Sequence, residues 1–209
     1  LVLHRWHIES SSLPRLLQLL ASRSMGLANY SEISRALQMP LSTLKRYMAL
    51  LEMTYLVQPV PPWSTNLGKR LVKAPKLMLC DTGLMAYLLG VDGAGKIPDI
   101  AVGALVENYV ALELRKQMSW YPGRLELFHF RERTGIEVDF ILETPQGQVV
   151  GIEVKASGGV TEKDFKHLEF LQDNLGPRFQ QGVVFYLGEK QVRFSERLVA
   201  LPLSYLWAT

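Results

Sequence analysis

Residues 136–156, which read IEVDFILETPQGQVVGIEVKA, constrain the fold of this chain more than any other stretch. Hydrophobic and polar residues alternate on both sides of a Pro-x-Gly turn signal, which predicts two β-strands joined in a hairpin. If Glu143 pairs with Val149 across the five-residue loop, the antiparallel register places Asp139 opposite Glu153. A slip of one residue would move Asp139 to the other face of the sheet, so this prediction depends on the register.

The predicted register brings two carboxylates together, because directly opposite residues have Cβ atoms about 5 Å apart. At an effective dielectric constant of about 20, two ionised carboxylates at that separation repel each other by about 3 kcal/mol. Lys155, two residues beyond Glu153 on the same face of its strand, supplies one positive charge. A divalent metal ion would supply the rest, so the hairpin is predicted to be a metal site.

Length and composition restrict the general class of the protein. A chain of 209 residues with 48% hydrophobic and 21% charged residues is ordinary for one large or two small globular domains. No apolar run approaches the roughly 18 residues that cross a bilayer, so we expect a cytoplasmic protein with no membrane partner. The single cysteine, Cys80, excludes an internal disulfide framework.

Positive charge is concentrated in the first part of the chain. Residues 1–78 contain ten Lys and Arg against three acidic residues, whereas residues 79–209 contain thirteen against seventeen. The basic part favours an acidic partner, with nucleic acid as the first candidate. On charge alone, a solvated basic surface is an equal alternative.

Residues 1–80 are predicted to form a winged helix-turn-helix. The apolar spacing indicates a helix over residues 13–25, a second from the N-cap Ser31 to Leu37, and a third from Leu41 or Ser42 to about Met53. The strands YLVQPV and KRLVKAPKLMLC follow as a hairpin. In such a domain, one set of exposed side chains on the third helix and one on the wing would contact DNA. These residues are Ser42, Thr43, Lys45 and Arg46 on the helix, and Lys69, Arg70 and Lys73 near the wing. The alternative is a winged helix that only packs against a protein neighbour.

Residues 81–98 are predicted to be a connecting helix and loop. Asp81 or Thr82 precedes the helical pattern GLMAYLLG and is predicted to be its N-cap. The following residues 90–96 have the spacing of a phosphate-binding loop. Because Ile97 and Pro98 follow instead of the Ser or Thr that ligates magnesium, no ATP site is expected there.

Residues 99–209 contain helix, three strands, helix and strand in that order. Glu107 lies in an apolar row of the first helix, which indicates a salt bridge, a half-exposed position at the flank of that row, or a third acidic ligand. Arg131 ends the first strand, where it would clamp a phosphate or pair with Glu137 or Asp139. The apolar tail LPLSYLW would either support a homo-oligomer or complete the core.

The αβββαβ order, with Glu107 on the helix, Asp139 on the second strand and Glu153-x-Lys155 on the third, resembles the PD-(D/E)xK nuclease superfamily. The arrangement with a Glu on the helix resembles that of the Holliday-junction-resolvase branch of this superfamily. Four strings, LKRYMALLEMTYLV, NLGKRLVKAPKLMLCDTGLMAYLLG, ALVENYVALEL and HFRERTGIEVDFILE, resemble the C-terminal part of a prokaryotic family of AAA+-type ATPases. In that family an ATPase module precedes a winged helix and a nuclease-like domain of unknown function.

The resemblance implies an α/β (α+β) protein with a winged helix-turn-helix and a restriction-endonuclease-like αβββαβ core containing a mixed sheet. It also implies that Glu107, Asp139 and Glu153 hold Mg²⁺ and that Lys155 acts with them in catalysis. ATP would bind only in the ATPase module that this chain lacks, which agrees with its start at Leu1. Three functions remain open: a magnesium-dependent nuclease acting on DNA or RNA, a catalytically silent module that binds nucleic acid, DNA more than RNA, and a protein-interaction module for the ATPase.

Overall fold

The computed structural model describes residues 12–64, 74–91, 99–132 and 134–207. They fall into two compact units: one contains the residues up to Pro59 together with Lys76–Leu105, and the other contains Val60–Pro75 together with the residues from Val106 onward. The division predicted from the sequence, 1–80, 81–98 and 99–209, is linear and stays a prediction. Within the described residues, no helix is long and apolar enough to cross a membrane.

The first unit contains three helices, α1 (Ser12–Ser22), α2 (Tyr30–Leu37) and α3 (Leu41–Met53), and then the strands β1 (Val57–Val60) and β2 (Lys76–Leu79), which form a two-stranded sheet. This is the order of elements on which the winged-helix prediction rests. A left-handed Gln38, with φ of 52°, separates α2 from α3. Leu44, Met48 and Leu51 are buried and form the inner face of α3. The helix α4 (Thr82–Leu88) completes the described part of the unit, apart from the first turns of the next helix.

The two predicted N-caps had different outcomes. Asp81 caps α4, because its Oδ1 accepts a hydrogen bond from the Leu84 N–H at 2.7 Å. The prediction of Ser31 as the cap of α2 was wrong: the helix begins earlier, and Asn29 Oδ1 accepts from the Glu32 N–H at 3.1 Å. Asn and Ser cap helices about equally well, so residue type alone did not decide between them. Of the phosphate-loop-like residues 90–96, those from 92 onward lie outside the described part of the chain.

The second unit is built on a six-stranded mixed sheet, which confirms the α+β class. The helix α5 (Asp99–Trp120) leads into β3 (Glu126–Arg131), β4 (Glu137–Glu143) and β5 (Val149–Lys155), which are antiparallel neighbours. A short 3₁₀ turn (Glu162–Phe165) and the helix α6 (Lys166–Leu175) return the chain to β6 (Phe179–Tyr186), which is parallel to β5. The predicted order of helix, three strands, helix and strand is therefore present.

The C-terminal tail extends this sheet beyond the predicted elements. The strand β8 (Leu198–Pro202) runs parallel to β6, and the two-residue β7 (Val192–Arg193) pairs antiparallel with β8, so the strand order is β3-β4-β5-β6-β8-β7. The side chains of Leu198, Ala200 and Leu206 are buried, so the tail completes the core. Tyr205 and Trp207 remain substantially exposed.

Two glycines let α6 lie close to the sheet. A Cβ atom on Gly151 would stand 2.8 Å from Leu168 Cδ2, and one on Gly182 would stand 2.6 Å from Leu198 Cδ2 and 3.1 Å from Leu168 Cβ. Leu168 and Leu171 are fully buried against this surface. The absence of side chains at the two glycines therefore fixes the height of α6 above β5 and β6.

Candidate catalytic site

The register on which the metal-site prediction depends is confirmed over four residue pairs of β4 and β5. Glu143 pairs with Val149, and the ladder continues to Phe140 opposite Ile152. The next residues in this register are Asp139 and Glu153. They follow the last pair of the ladder, where the predicted site lies.

A β-bulge in β4 shapes this end of the hairpin. Phe128 pairs with Ile141 and Phe130 with Val138, so two steps along β3 correspond to three steps along β4. Asp139 and Phe140 of β4 therefore lie opposite a single residue of β3, His129. Bulges bend a strand and redirect a side chain, and they are frequent next to active sites. The alternation of the sequence did not predict this bulge.

The redirected carboxylate of Asp139 lies between the two strands. Its Oδ2 accepts a hydrogen bond from the Val154 N–H at 2.8 Å. The side chain thus serves as the acceptor for a main-chain donor of β5, at the point where the paired ladder ends. Because Val154 lies between Glu153 and Lys155, this bond holds Asp139 beside the Glu-x-Lys motif.

Glu153 is the buried centre of the site, with a residue exposure of 4%. The Lys155 ammonium donates to Glu153 Oε2 at 2.9 Å. On the other side, Nδ1 of His167 lies 3.7 Å from Glu153 Oε1. Buried carboxylates require such partners, since an uncompensated charge is strongly disfavoured away from water.

The pKa of Lys155 is raised above its ordinary value of 10.5. Partial burial, the largest single influence, lowers the pKa, but it is outweighed by the neighbouring charge and hydrogen bond of Glu153 and by the more distant charges of Asp139 and Asp164. Lys155 is therefore a cation at neutral pH. It can donate hydrogen bonds and stabilise negative charge, but it does not act as a base.

The other two predicted members of the site differ in position. Glu107 is partly buried on α5, in the same helical row as the buried Val110 and Leu114. Among the described residues, no group of three or more His, Cys, Asp and Glu side chains is arranged to hold a metal, so Glu107 does not join Asp139 and Glu153 in such a group. Arg131 Nη1 lies 3.5 Å from Glu137 Oε2, which is the ion pair considered as its alternative role.

The candidate DNA-binding residues of α3 lie near its start. Ser42, Lys45 and Arg46 are exposed, and Thr43 is half-buried. Lys69, Arg70 and Lys73 lie outside the described residues. DNA binding by these side chains stays a prediction.

Sequence reasoning missed His167, which is the second residue of α6. Leu168 and Leu171 are buried on the inner face of this helix, and Phe165 is buried directly before it. His167 precedes Leu168 and therefore lies at the flank of that face. The signal available in the sequence was the position of His167 next to Leu168, near the start of the helix that follows the hairpin.

Fold and site together define an α+β protein with two carboxylates, a lysine and a histidine grouped where β4 and β5 separate. The chain belongs to the family described as a domain of unknown function, DUF4143, which matches residues 102–206. A second domain of unknown function, DUF8612, matches residues 4–95.

Two curated relatives are uncharacterised proteins of Mycobacterium bovis and Mycobacterium tuberculosis. Each is 27% identical to this chain over 205 residues, a match that covers 97% of this chain and 44% of the relative. The chain thus spans less than half the length of these relatives. One solved structure also aligns with this chain: a chain from a tetradecameric assembly of Thermococcus gammatolerans McrB AAA+ hexamers with bound McrC. The alignment covers 91% of this chain and 71% of that chain, at 11% identity and a TM-score of 0.36. Similarity at this level does not define a common fold.

Proposed function

We propose that this chain is a nucleic-acid phosphodiesterase module that uses Mg²⁺ or Mn²⁺ and works beside an AAA+-type ATPase module in a longer protein. The observation that carries the proposal is the grouping of Asp139, Glu153 and Lys155 around one main-chain amide, that of Val154. Two carboxylates and a lysine that is charged at neutral pH lie where the pairing of β4 and β5 ends. Metal-assisted phosphoryl transfer needs these elements.

The donor set suits a hard divalent cation. Asp139 and Glu153 offer carboxylate oxygens, and the carbonyl of Val154 is a third oxygen in the same segment. Mg²⁺ binds through one or two carboxylates and keeps several water molecules, so it does not require a third carboxylate. Glu107 would then act through water. When bound, the cation would acidify a water molecule and draw negative charge from the phosphate.

The protein's own residues then have distinct tasks. Asp139 and Glu153 fix the position of the cation, because each is held by a hydrogen bond to β5 or Lys155. Lys155, charged at neutral pH, stabilises the charge that develops on the phosphate oxygens. Arg131 is about half exposed and would exchange its ion pair with Glu137 for a neighbouring phosphate of the substrate.

The proposed partners follow from two observations. Lys45 and Arg46 are exposed at the start of α3 and would contact DNA phosphates. The curated relatives extend well beyond the matched region, which leaves room for an ATPase module such as the sequence resemblance implies. ATP would bind in that module.

Cleavage of branched and linear DNA in Mg²⁺ or Mn²⁺ tests the proposal. We expect Asp139→Asn and Lys155→Met each to lower the rate by about 100-fold or more. Asp173→Asn and Lys190→Met are matched controls, because both residues are exposed and outside the grouped side chains. Equal activity in the wild type and in both site variants would contradict the proposal.

A catalytically silent binding module is the second candidate. It is favoured by the fact that both carboxylates already have donors within the protein, Val154 for Asp139 and Lys155 for Glu153. This candidate predicts salt-sensitive DNA binding without cleavage. Replacing Lys45 and Arg46 together by Ala should reduce the steepness of the fall of log affinity with log salt by about two. No affinity even at low salt would leave a protein-interaction module.

A further inference from the structure

His167 lies beside both strand ends that form the proposed site. Its Nδ1 lies 2.6 Å from the main-chain oxygen of Glu137, at the start of β4, and 3.7 Å from Glu153 Oε1, near the end of β5. A carbonyl oxygen can only accept a hydrogen bond, so Nδ1 carries the proton. The same N–H is thus directed at one strand end while it lies beside the buried carboxylate of the other.

The fold delivers this histidine to the site by close packing. Gly151 and Gly182 allow Leu168 to descend onto the sheet, and His167 is the preceding residue on the same helix. Its side chain is 37% exposed, whereas that of Glu153 is 5% exposed. The imidazole therefore lies at the border between the buried carboxylate and solvent.

We infer that His167 is a positioning residue of this site, an inference that rests on the proposed function. Its Nδ1–H ties the start of β4 to α6, which packs on β5 and β6 through Leu168, and so restrains the separation of the Asp139 and Glu153 carboxylates. The regular ladder between β4 and β5 ends at Phe140 and Ile152, so the hydrogen bond from His167 restrains the start of β4 beyond the last main-chain pair. Residues that support metal ligands from outside the coordination sphere typically change metal affinity or activity by 10–100-fold when removed.

Three substitutions distinguish the donor from the ring. His167→Asn places its amide nitrogen at the position of Nδ1, His167→Gln places the donor one bond further out, and His167→Phe keeps a ring but has no donor. Each variant is measured for Mn²⁺ affinity by calorimetry, for kcat and KM on the DNA substrate, and for its urea midpoint.

We expect His167→Phe and His167→Gln to weaken Mn²⁺ binding and lower kcat by about 10-fold or more. His167→Asn should remain close to the wild type in both measurements, and KM for DNA should change little in all three variants. Rescue by Asn but not by Gln is the result specific to a donor at Nδ1.

Each contrary result has a defined meaning. Unchanged Mn²⁺ affinity in His167→Phe, with or without a lower urea midpoint, overturns the inference and assigns the residue at most a structural role. Equal losses in His167→Asn and His167→Phe also overturn it. A wild type that neither binds Mn²⁺ nor cleaves DNA overturns the proposed function, and this inference with it.

Discussion

Substituting Gly151 by Ala tests whether close packing of α6 on the sheet holds the second unit together. The added Cβ would lie 2.8 Å from Leu168 Cδ2, 3.3 Å from Leu171 Cδ1 and 3.5 Å from Phe179 Cε2. The first distance is well inside ordinary van der Waals contact. Cδ2 is the far end of the flexible Leu168 side chain. Leu168 is 0% exposed, however, so its side chain has no solvent-filled space into which to turn.

The expected loss of stability follows from two opposing effects. Overpacking a close-packed core costs about 1–3 kcal/mol. Replacing Gly by Ala restricts the unfolded chain, which returns about 0.4–1 kcal/mol. The central values of the two effects, about 2 and about 0.7 kcal/mol, leave a net destabilisation of about 1.3 kcal/mol. His167 moves with Leu168, so on the proposed function the affinity of the site for Mn²⁺ should fall as well.

Urea unfolding followed by fluorescence measures this effect in the second unit, because Trp63 belongs to its core with an exposure of 3%. Gly159→Ala is the matched control. Gly159 lies in the second unit, outside the left-handed region and with no atom within 4 Å of a new Cβ, so the same substitution should stabilise the protein by up to about 1 kcal/mol.

A cycle with Leu168→Ala identifies the cause. If the contact with Leu168 produces the loss, Gly151→Ala should cost little in the Leu168→Ala background. A Gly151→Ala protein as stable as the wild type would refute the packing argument. An equal loss in both backgrounds would place the cause elsewhere.

Two further predictions concern charged side chains. Arg178 donates to Gly147 O at 2.9 Å and to the buried Glu143 Oε1 at 3.2 Å, so Arg178→Met should lower the urea midpoint by an amount equivalent to about 1–3 kcal/mol; additivity with Glu143→Gln would contradict the pairing. The hydrogen bond to Glu113 raises the pKa of Lys116 above 10.5. Because the folded-state pKa is the higher one, this stabilisation is fully present below pH 10.5 and is lost as the pH rises through the folded-state pKa. Unfolding at increasing pH should therefore show a smaller alkaline loss in Lys116→Met, and identical profiles would argue against the linkage.

The hairpin register was predictable because two local signals agreed. Alternation fixes which residues share a face, and the Pro-x-Gly loop fixes which residues face each other, so Glu143 opposite Val149 follows without knowledge of the rest of the fold. The helices α3 and α5 were predictable for a similar reason, since their apolar spacing extends over several turns.

The bulge at Asp139 and the position of His167 were not predictable, since they depend on partners distant in sequence. The bulge exists only relative to β3, where Phe128 and Phe130 define the pairing. His167 reaches Glu137 across thirty residues, and only the close approach of α6 to Gly151 makes that contact possible. The strand β8 was missed because its partner β6 is parallel, which leaves no hairpin signal.

On the proposed function, the charges of the site would stabilise it before a cation binds. Glu153 is buried, and its negative charge is offset by Lys155 on one side, while Asp139 accepts a main-chain N–H and lies closer to solvent. The electrostatic cost of two nearby carboxylates is thereby reduced in the protein itself. A divalent cation at these oxygens would compete with Lys155 for Glu153, so its entry would release the ammonium toward the phosphate. On this proposal, the same lysine stabilises the fold before the substrate binds and stabilises the phosphate charge afterwards.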